Sequence, residues 1–398
     1  MPFRLVGFEC SLGTAVLDTL EQSARSITRE RLQDWFDRFE GTEEVALLTT
    51  CHRVELFLLV RSAEEVRRWR EALPGPRNSW LVREGRAVVS HLFRVAAGWE
   101  SLARGEGEVR HQVRSAGHRI ISRHPRPVLQ EFFARAGEAA EELAPSVPTS
   151  QSIAAFAADR LLRLVDRPRP RVLVIGSGTV GRQVTESLAS KARVTVLFHR
   201  HPPDPAWLRA SGARAAELDQ LKDALAEADA AVTAAKFGDR GLRAADLPRD
   251  HPLVLIDLGM PRNIDPDVRE LPNVQLVDLE NLHSAAERAS HTTRIDGRLE
   301  ALADRCADRL ELLLMEPWIG ALRRATEEVR RSELACARPF LGKLDAEQEL
   351  AVERLTKRLV SRLLLPPTER IRSLPPGPDG DLRRRWALEL LRPLVYDP

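Results

Sequence analysis

Few folds accommodate the run Gly176-Ser177-Gly178-Thr179-Val180-Gly181 where it stands. Val172 to Ile175 before it is a continuous apolar run of strand length, and the residues after it carry a helical pattern to Lys191. A second strand pattern follows from Val194 to Phe198. Strand, glycine-rich turn, helix and strand in one unit predict a dinucleotide-binding parallel sheet. The first glycine makes the turn, the second lets a pyrophosphate approach the backbone, and the third lets helix and strand pack. Gly176, Ser177, Gly178, Thr179, Val180 and Gly181 are therefore candidate cofactor-binding residues. An NAD site carries an acid at the end of the second strand, whereas here the chain reads His199-Arg200. A cationic end suits a 2′-phosphate, so NADPH is the expected cofactor. Further strands of the same sheet are expected at Ala230 to Thr233, Leu253 to Leu258 and Val274 to Val277.

The chain has 398 residues, enough for two or three domains with cores of their own. Lys and Arg total 60 against 58 Asp and Glu, so no global field demands a polyanionic partner. The four cysteines, Cys10, Cys51, Cys306 and Cys336, are too scattered for a disulfide framework, and no Cys/His ligand spacing points to a metal. No signal-peptide pattern and no membrane-length apolar run occur, so a cytoplasmic protein is expected.

Ahead of the dinucleotide fingerprint, a thiol sits between two short strand patterns, Val45 to Leu48 and Val54 to Val60. The interruption, Thr49-Thr50-Cys51-His52-Arg53, places an imidazole and a guanidinium beside the sulfur, with Glu55 two residues on. Cations near a cysteine raise its thiolate fraction, and the thiolate is the nucleophile. Taken alone, Cys51 reads more readily as a buried inert thiol at a strand end than as a nucleophile. Phe3 to Phe8 predicts a first strand, and helices are expected over Thr19 to Phe39, Ala63 to Leu73, Arg86 to Val95 and Val128 to Leu143. The closely spaced Gly98, Gly105 and Gly107 predict a functional loop feeding a helix. Pro145 and Pro148 mark a domain boundary, with a helix from Ser150 to Val165 beyond it. Leu299, Leu302, Cys306, Leu310 and Leu313 give one long helix an apolar seam over Leu282 to Glu316. Pro317 is expected to interrupt it, with amphipathic helices over Ile319 to Leu334 and Ala346 to Leu365 and an end at Pro366-Pro367. Such a tail suggests dimerisation or a helical cap on the same chain. A last short helix is expected over Leu382 to Leu391.

From Leu47 to Leu374 these parts resemble the glutamyl-tRNA reductase family, in the family's order. Thr49 to Glu55 looks like the family's nucleophile motif, usually S/T-T-C-N-R-x-E. His91-Leu92-Phe93-Arg94-Val95-Ala96-Ala97-Gly98-Trp99-Glu100-Ser101-Leu102 looks like its H-L-x-x-V-A-x-G-L-D-S stretch, and Gly105-Glu106 with Gln112 like its G-E-x-Q-I-x-x-Q element. Asp257 to Arg262 and Glu353 to Val360 resemble segments of its NADPH and dimerisation domains.

The resemblance implies a multidomain α/β protein. It would have an N-terminal α/β catalytic domain that recognises glutamyl-tRNA (1–147) and a Rossmann NADP-binding domain (148–282). A long linking helix with an all-helical dimerisation domain (283–374) and a tail (375–398) would follow. It implies NADPH-dependent reduction of glutamyl-tRNA to glutamate-1-semialdehyde, the first committed step of tetrapyrrole (heme) synthesis, through a Cys51 thioester. His91 would serve as general acid or base. Thr50, His52, Arg53, Glu55, Ser101, Glu106, Gly107, Glu108 and Gln112 would bind substrate, with Arg53 on the glutamyl carboxylate. Glutamyl-tRNA, a second copy of the chain and a glutamate-1-semialdehyde aminomutase are the implied partners. The chain departs from the pattern in several places: the first strand reads Gly7-Phe8-Glu9-Cys10-Ser11 with no histidine after it. His52 replaces the usual Asn, Glu108 a Gln, His111 a Gly and Trp99 a Leu, and Lys236-Phe237-Gly238 lacks the S-S-T run. A carboxylate at Glu9 or Glu108 would repel a glutamyl carboxylate unless it is paired. Two other readings follow: a paralogue that binds NADP(H) and a partner with altered or lost activity, and a small-metabolite dehydrogenase in which Cys51 is structural.

Overall fold

A computed structural model describes residues 3–101, 107–143, 152–235, 241–289, 297–374 and 386. The first sheet holds β1 (Arg4–Ser11), β2 (Thr42–Thr49), β3 (Arg53–Val60), β4 (Leu81–Glu84) and β5 (Ile121–Ser122), in the order β4-β1-β3-β2-β5. All its pairings are antiparallel. Side chains alternate faces along a strand. Val6, Phe8 and Cys10 of β1 and Val54, Leu56, Leu58 and Val60 of β3 meet the helices α1 (Leu17–Ser26), α2 (Arg29–Arg38) and α3 (Ala63–Ala72) through Leu20, Leu32, Trp35 and Trp69. Leu5, Ala46, Leu48 and Phe57 face the other way, onto α4 (Arg86–Ala96), α5 (Gly107–Gly117) and α6 (Val128–Leu143). Glu44 caps α6, accepting from the backbone N–H groups of Val128 and Leu129 at 2.8 Å each.

After α7 (Ile153–Val165) come β6 (Arg171–Ile175), α8 (Thr179–Leu188), β7 (Arg193–Phe198), α9 (Pro205–Ser211), β8 (Arg214–Glu217), α10 (Leu221–Glu227), β9 (Ala230–Thr233), β10 (Leu253–Asp257) and β11 (Val274–Val277). The second sheet is parallel, in the order β11-β10-β9-β6-β7-β8. The strand order reverses between β6 and β9, and in open parallel sheets ligands bind beyond the strand ends at that point. The strands expected from the sequence are present, with β4, β5 and β8 added at sheet edges where the sequence pattern is too short to read.

Three helical expectations fail. Following α11 (Leu279–Ala289), α12 (Gly297–Ala337) runs through the position of Pro317 rather than stopping there. A mid-helix proline costs about 3 kcal/mol. Burial of Leu299, Ala303, Leu310 and Leu314 before it, and Ile319 and Leu322 after it, holds both halves on one axis. Likewise α13 (Ala346–Arg372) continues through Pro366 and Pro367. Thr368 and Ile371 beyond them are buried, and the Thr368 hydroxyl donates to the carbonyls of Leu364 and Leu365. The expected Thr19 to Phe39 helix is two helices, α1 and α2, with Thr28 capping the second. The tail beyond 374, Trp386 excepted, lies outside the described residues, as do 290–296 of the expected long helix.

Candidate active site

Cys51 and His52 form the two-residue tip of the β2–β3 hairpin. The Thr50 N–H donates to the Arg53 carbonyl at 2.9 Å, closing the tip, and the Leu12 N–H donates to the His52 carbonyl at 3.1 Å, tying it to β1. Cys51 is half-buried, and with Leu12 and Met260 it packs against the apolar cluster of the second sheet. The hairpin thus carries the thiol to the nucleotide-binding half of the molecule. Its Sγ lies 3.2 Å from His52 Nδ1. On the far side of the ring, His52 Nε2 is 3.2 Å from the Glu100 carbonyl and 3.4 Å and 3.2 Å from Arg53 Nε and Nη2. Burial first, and then the Arg53 cation, pushes the His52 pKa down to about 3, so the ring is neutral at physiological pH.

The two-residue period puts Glu9, Arg53 and Glu55 on the sheet face that α4 covers, and α4 lays His91 over them. Glu9 and Glu55 are direct cross-strand neighbours, both buried. Like charges so placed need compensation. Arg53 Nη1 donates to Glu55 at 2.8 Å, and His91 Nε2 donates to both Glu55 oxygens at 3.0 Å. Glu9 accepts from the Ser11 hydroxyl at 2.8 Å and is paired with Arg83. Burial alone would raise the Glu55 pKa, but His91 and then Arg53 hold it down at about 2. The sequence reasoning missed Arg83 and Ser11, although Arg83 sits directly across β4 from Gly7, two residues from Glu9. His91 Nδ1, Ser101 Oγ and Gln112 Oε1 are buried without a hydrogen-bond partner among the described residues.

Glu9, Glu55 and His91 bring three potential metal-ligand atoms within 4.8 Å of one another. Arg53 and Arg83 already neutralise both carboxylates, so a divalent cation there would face two guanidiniums; the donor set suits an ion-pair network. Cys10, on the opposite face, is buried and its thiol is pushed up to about 11, chiefly by desolvation, so it does not compete as a nucleophile.

Apart from Ser101, which follows α4, the substrate-binding residues that can be placed fall into two groups. Thr50 and His52 flank Cys51, while Arg53 and Glu55 form the buried network with His91; Arg53 is only 3% exposed and already engaged by Glu55 and Glu100. Glu108 and Gln112, on α5 after its first residue Gly107, line a separate cleft of about 430 Å³ with Thr49, His111, Arg29 and Arg119. That cleft includes neither Cys51 nor His91 in its lining. Glu106 and the Lys236-Phe237-Gly238 loop lie outside the described residues.

At the switch point, Gly176 has φ +119°, and a Cβ there would meet the Ala234 carbonyl oxygen at 2.8 Å. A Cβ at Gly181 would overlap the Gly176 carbonyl oxygen, whereas one at Gly178 would meet nothing within 4 Å. The turn is therefore closed on its protein side and open at Gly178, where a dinucleotide fingerprint would admit a pyrophosphate. His199 and Arg200 stand exposed just past β7 with no acid between them. After β10, buried Asp257 accepts from the Thr233 hydroxyl at 2.6 Å and from the N–H groups of Gly259, Asn263 and Ile264. The loop it organises sends Arg262 across to α1, where its Nε donates to Glu21 at 2.9 Å and its Nη2 pairs with Asp18.

Residues 9–146 match the family model for the glutamyl-tRNA(Glu) reductase N-terminal domain, and residues 298–392 the model for its dimerisation domain. Residues 158–285 match the shikimate/quinate 5-dehydrogenase model. The glutamyl-tRNA reductase of Rubrobacter xylanophilus is 29% identical over 91% of this chain and 90% of its own. Glutamyl-tRNA reductase 2 of a Nocardioides species is 30% identical over 81% of this chain and 75% of its own. The chain belongs to the glutamyl-tRNA reductase family. Its fold is that of the solved glutamyl-tRNA reductase from Methanopyrus kandleri, which is 23% identical, with 99% of each chain covered and a TM-score of 0.52. Membership makes it an oxidoreductase with a catalytic, a Rossmann-type nucleotide-binding and a helical dimerisation domain, as the sequence led us to expect. No helix among the described residues is long and apolar enough to cross a membrane.

Proposed function

We propose that this member of the family reduces glutamyl-tRNA to glutamate-1-semialdehyde with NADPH, through a thioester on Cys51, as an early step of tetrapyrrole synthesis. The observation that carries the reading is the placement of the Cys51 hairpin tip against the nucleotide-binding sheet, with the buried His91–Glu55–Arg53 network behind it. The Cys51 thiolate attacks the ester carbonyl carbon; the sulfur–carbon bond forms, the carbon–oxygen bond to the tRNA breaks, and the departing alkoxide oxygen takes up a proton to become the hydroxyl. His91, oriented by Glu55 through its Nε2, presents Nδ1 as the nitrogen that handles protons of the reacting groups. The Gly176 to Gly181 turn and the exposed His199 and Arg200 are the groups that would hold NADPH, which when bound supplies the hydride that reduces the thioester. Ser101 and Gln112, each with a buried oxygen lacking a hydrogen-bond partner among the described residues, would contact the substrate, Gln112 from the cleft beside Thr49 rather than at Cys51. Glu9, saturated by Arg83 and Ser11, does not oppose a glutamyl carboxylate as an unpaired charge would.

A single-turnover reaction of enzyme, labelled glutamyl-tRNA and NADPH tests this directly. The wild type should yield aldehyde and, without NADPH, an acyl-enzyme; Cys51→Ser should yield neither at a detectable rate. Cofactor binding without any acyl-enzyme would instead identify a paralogue that has lost the reaction.

A further inference from the structure

Where the family pattern has an asparagine next to the nucleophile, this chain has His52, and the ring bridges two functional groups. One nitrogen is 3.2 Å from the Cys51 sulfur, and the other faces the Arg53 guanidinium. Which nitrogen carries the proton follows from their neighbours. Arg53 is a permanent donor, and its Nε–H points at His52 Nε2. A proton on Nε2 would oppose that donor, and the Glu100 carbonyl is already served by Arg53 Nη2. A bare Nε2 accepts from Arg53 instead, which places the ring proton on Nδ1, facing the sulfur.

We propose that His52 is a further catalytic residue of this chain: its Nδ1–H, held on that nitrogen by Arg53 across the ring, donates to the Cys51 sulfur and stabilises the thiolate before attack. No new covalent step is involved; the thiol proton goes to water and the imidazole keeps its own. The role rests on Cys51 being the nucleophile. The charged and titratable groups acting on the ring are Arg53 and Glu55 from β3 and His283 from α11, with the Glu100 carbonyl closing the set. Because the ring stays neutral, it acts as a fixed donor and not as the cationic half of a thiolate–imidazolium pair. Through it the buried Arg53 charge polarises toward the sulfur without touching it.

Two measurements test this without substrate. The first is the rate of Cys51 alkylation by iodoacetamide against pH, followed by peptide mass spectrometry so that the exposed Cys336 does not contribute. The wild type should show the thiol's own inflection, with no further one that His52→Asn removes. His52→Leu, which removes the donor, should alkylate about tenfold more slowly at neutral pH, the loss of roughly one charge-assisted hydrogen bond. His52→Asn keeps an N–H on the same γ carbon and should stay within about threefold of the wild type. His52→Leu reacting at the wild-type rate, or His52→Asn as slow as a folded His52→Leu, overturns the proposal. The second measurement reads the His52 tautomer in the wild-type protein from nitrogen-15 shifts, assigned by the signal lost in His52→Asn. A proton on Nε2 overturns the proposal even if the leucine variant does not fold. Acyl-enzyme formation with an unmoved alkylation profile would sink the His52 role and leave the thioester standing; the reverse pattern would keep the pairing and sink the proposed reaction.

Discussion

Glu55 holds a negative charge with almost no water around it, and the residues that permit this are the ones nearest the chemistry. Arg53 and His91 each donate to it, so replacing it by glutamine leaves a guanidinium buried without its counter-ion. Breaking such a pair from one side costs about 3 kcal/mol or more. Glu55→Gln should therefore be less stable than the wild type by roughly that amount at neutral pH, measured by chemical denaturation. The pH dependence has a definite sign. The folded-state pKa, about 2, lies below the ordinary carboxylate value of 4.5, so the contribution is complete above about pH 4.5 and is lost as pH falls through 2. The gap between wild type and variant should accordingly narrow below pH 4.5; a gap constant down to pH 2.5 would show that Glu55 is not the group that titrates. Sequence pattern exposed Cys51 and Arg53 as reactive residue types in one stretch, and the family resemblance added His91. It could not show that Glu9 is harmless. Its compensation by Arg83 arises from a short edge strand whose four residues carry too little periodicity to be placed beforehand.

At the scale of elements, the two sheets were readable because their strands follow the period of their burial: continuous apolar runs where both faces are covered, alternation where one is. The helical region was less so. Proline is a strong local signal against helix, and at Pro317, Pro366 and Pro367 packing of the flanking turns overrides it. The turn between β6 and α8 separates fold from ligand more cleanly, because its glycines serve different ends. Gly181→Ala would drive a methyl group into the Gly176 carbonyl and should cost about 1–3 kcal/mol in a thermal or denaturant melt. Gly178→Ala meets nothing, at an ordinary φ of −71°, so it should melt with the wild type. In a fluorescence titration it should bind NADPH about tenfold more weakly, the loss of about one hydrogen bond's worth of phosphate approach. Equal NADPH affinity in Gly178→Ala and wild type would mean that the cofactor does not lie over this turn.

On the scale of the whole molecule, what is left uncovered is a face of the last helical hairpin. α12 and α13 are tied to each other by Arg330, whose Nη1 donates to Thr356 at 3.0 Å and whose Nη2 pairs with Glu353 at 3.3 Å. Outside that seam, Leu355, Leu359 and Leu363 recur every fourth residue along α13 and are 58, 52 and 73% exposed, with Val329 of α12 and Phe340 of the connection also bare. Single exposed leucines are ordinary, but a row at helical spacing is an interface. It lies within the segment that matches the dimerisation model, so a second copy of the chain is the expected cover. An aspartate at the centre of such a face must either be desolvated or hold the surfaces apart. Leu359→Asp combined with Leu363→Asp should therefore convert a dimer to a monomer in analytical ultracentrifugation. Because both side chains are solvent-exposed within one chain, helix content and the rate of Cys51 alkylation should be unchanged. A double variant that stays dimeric would move the interface off this face, and one that loses its helical signal would show that the leucines serve the fold of a single chain.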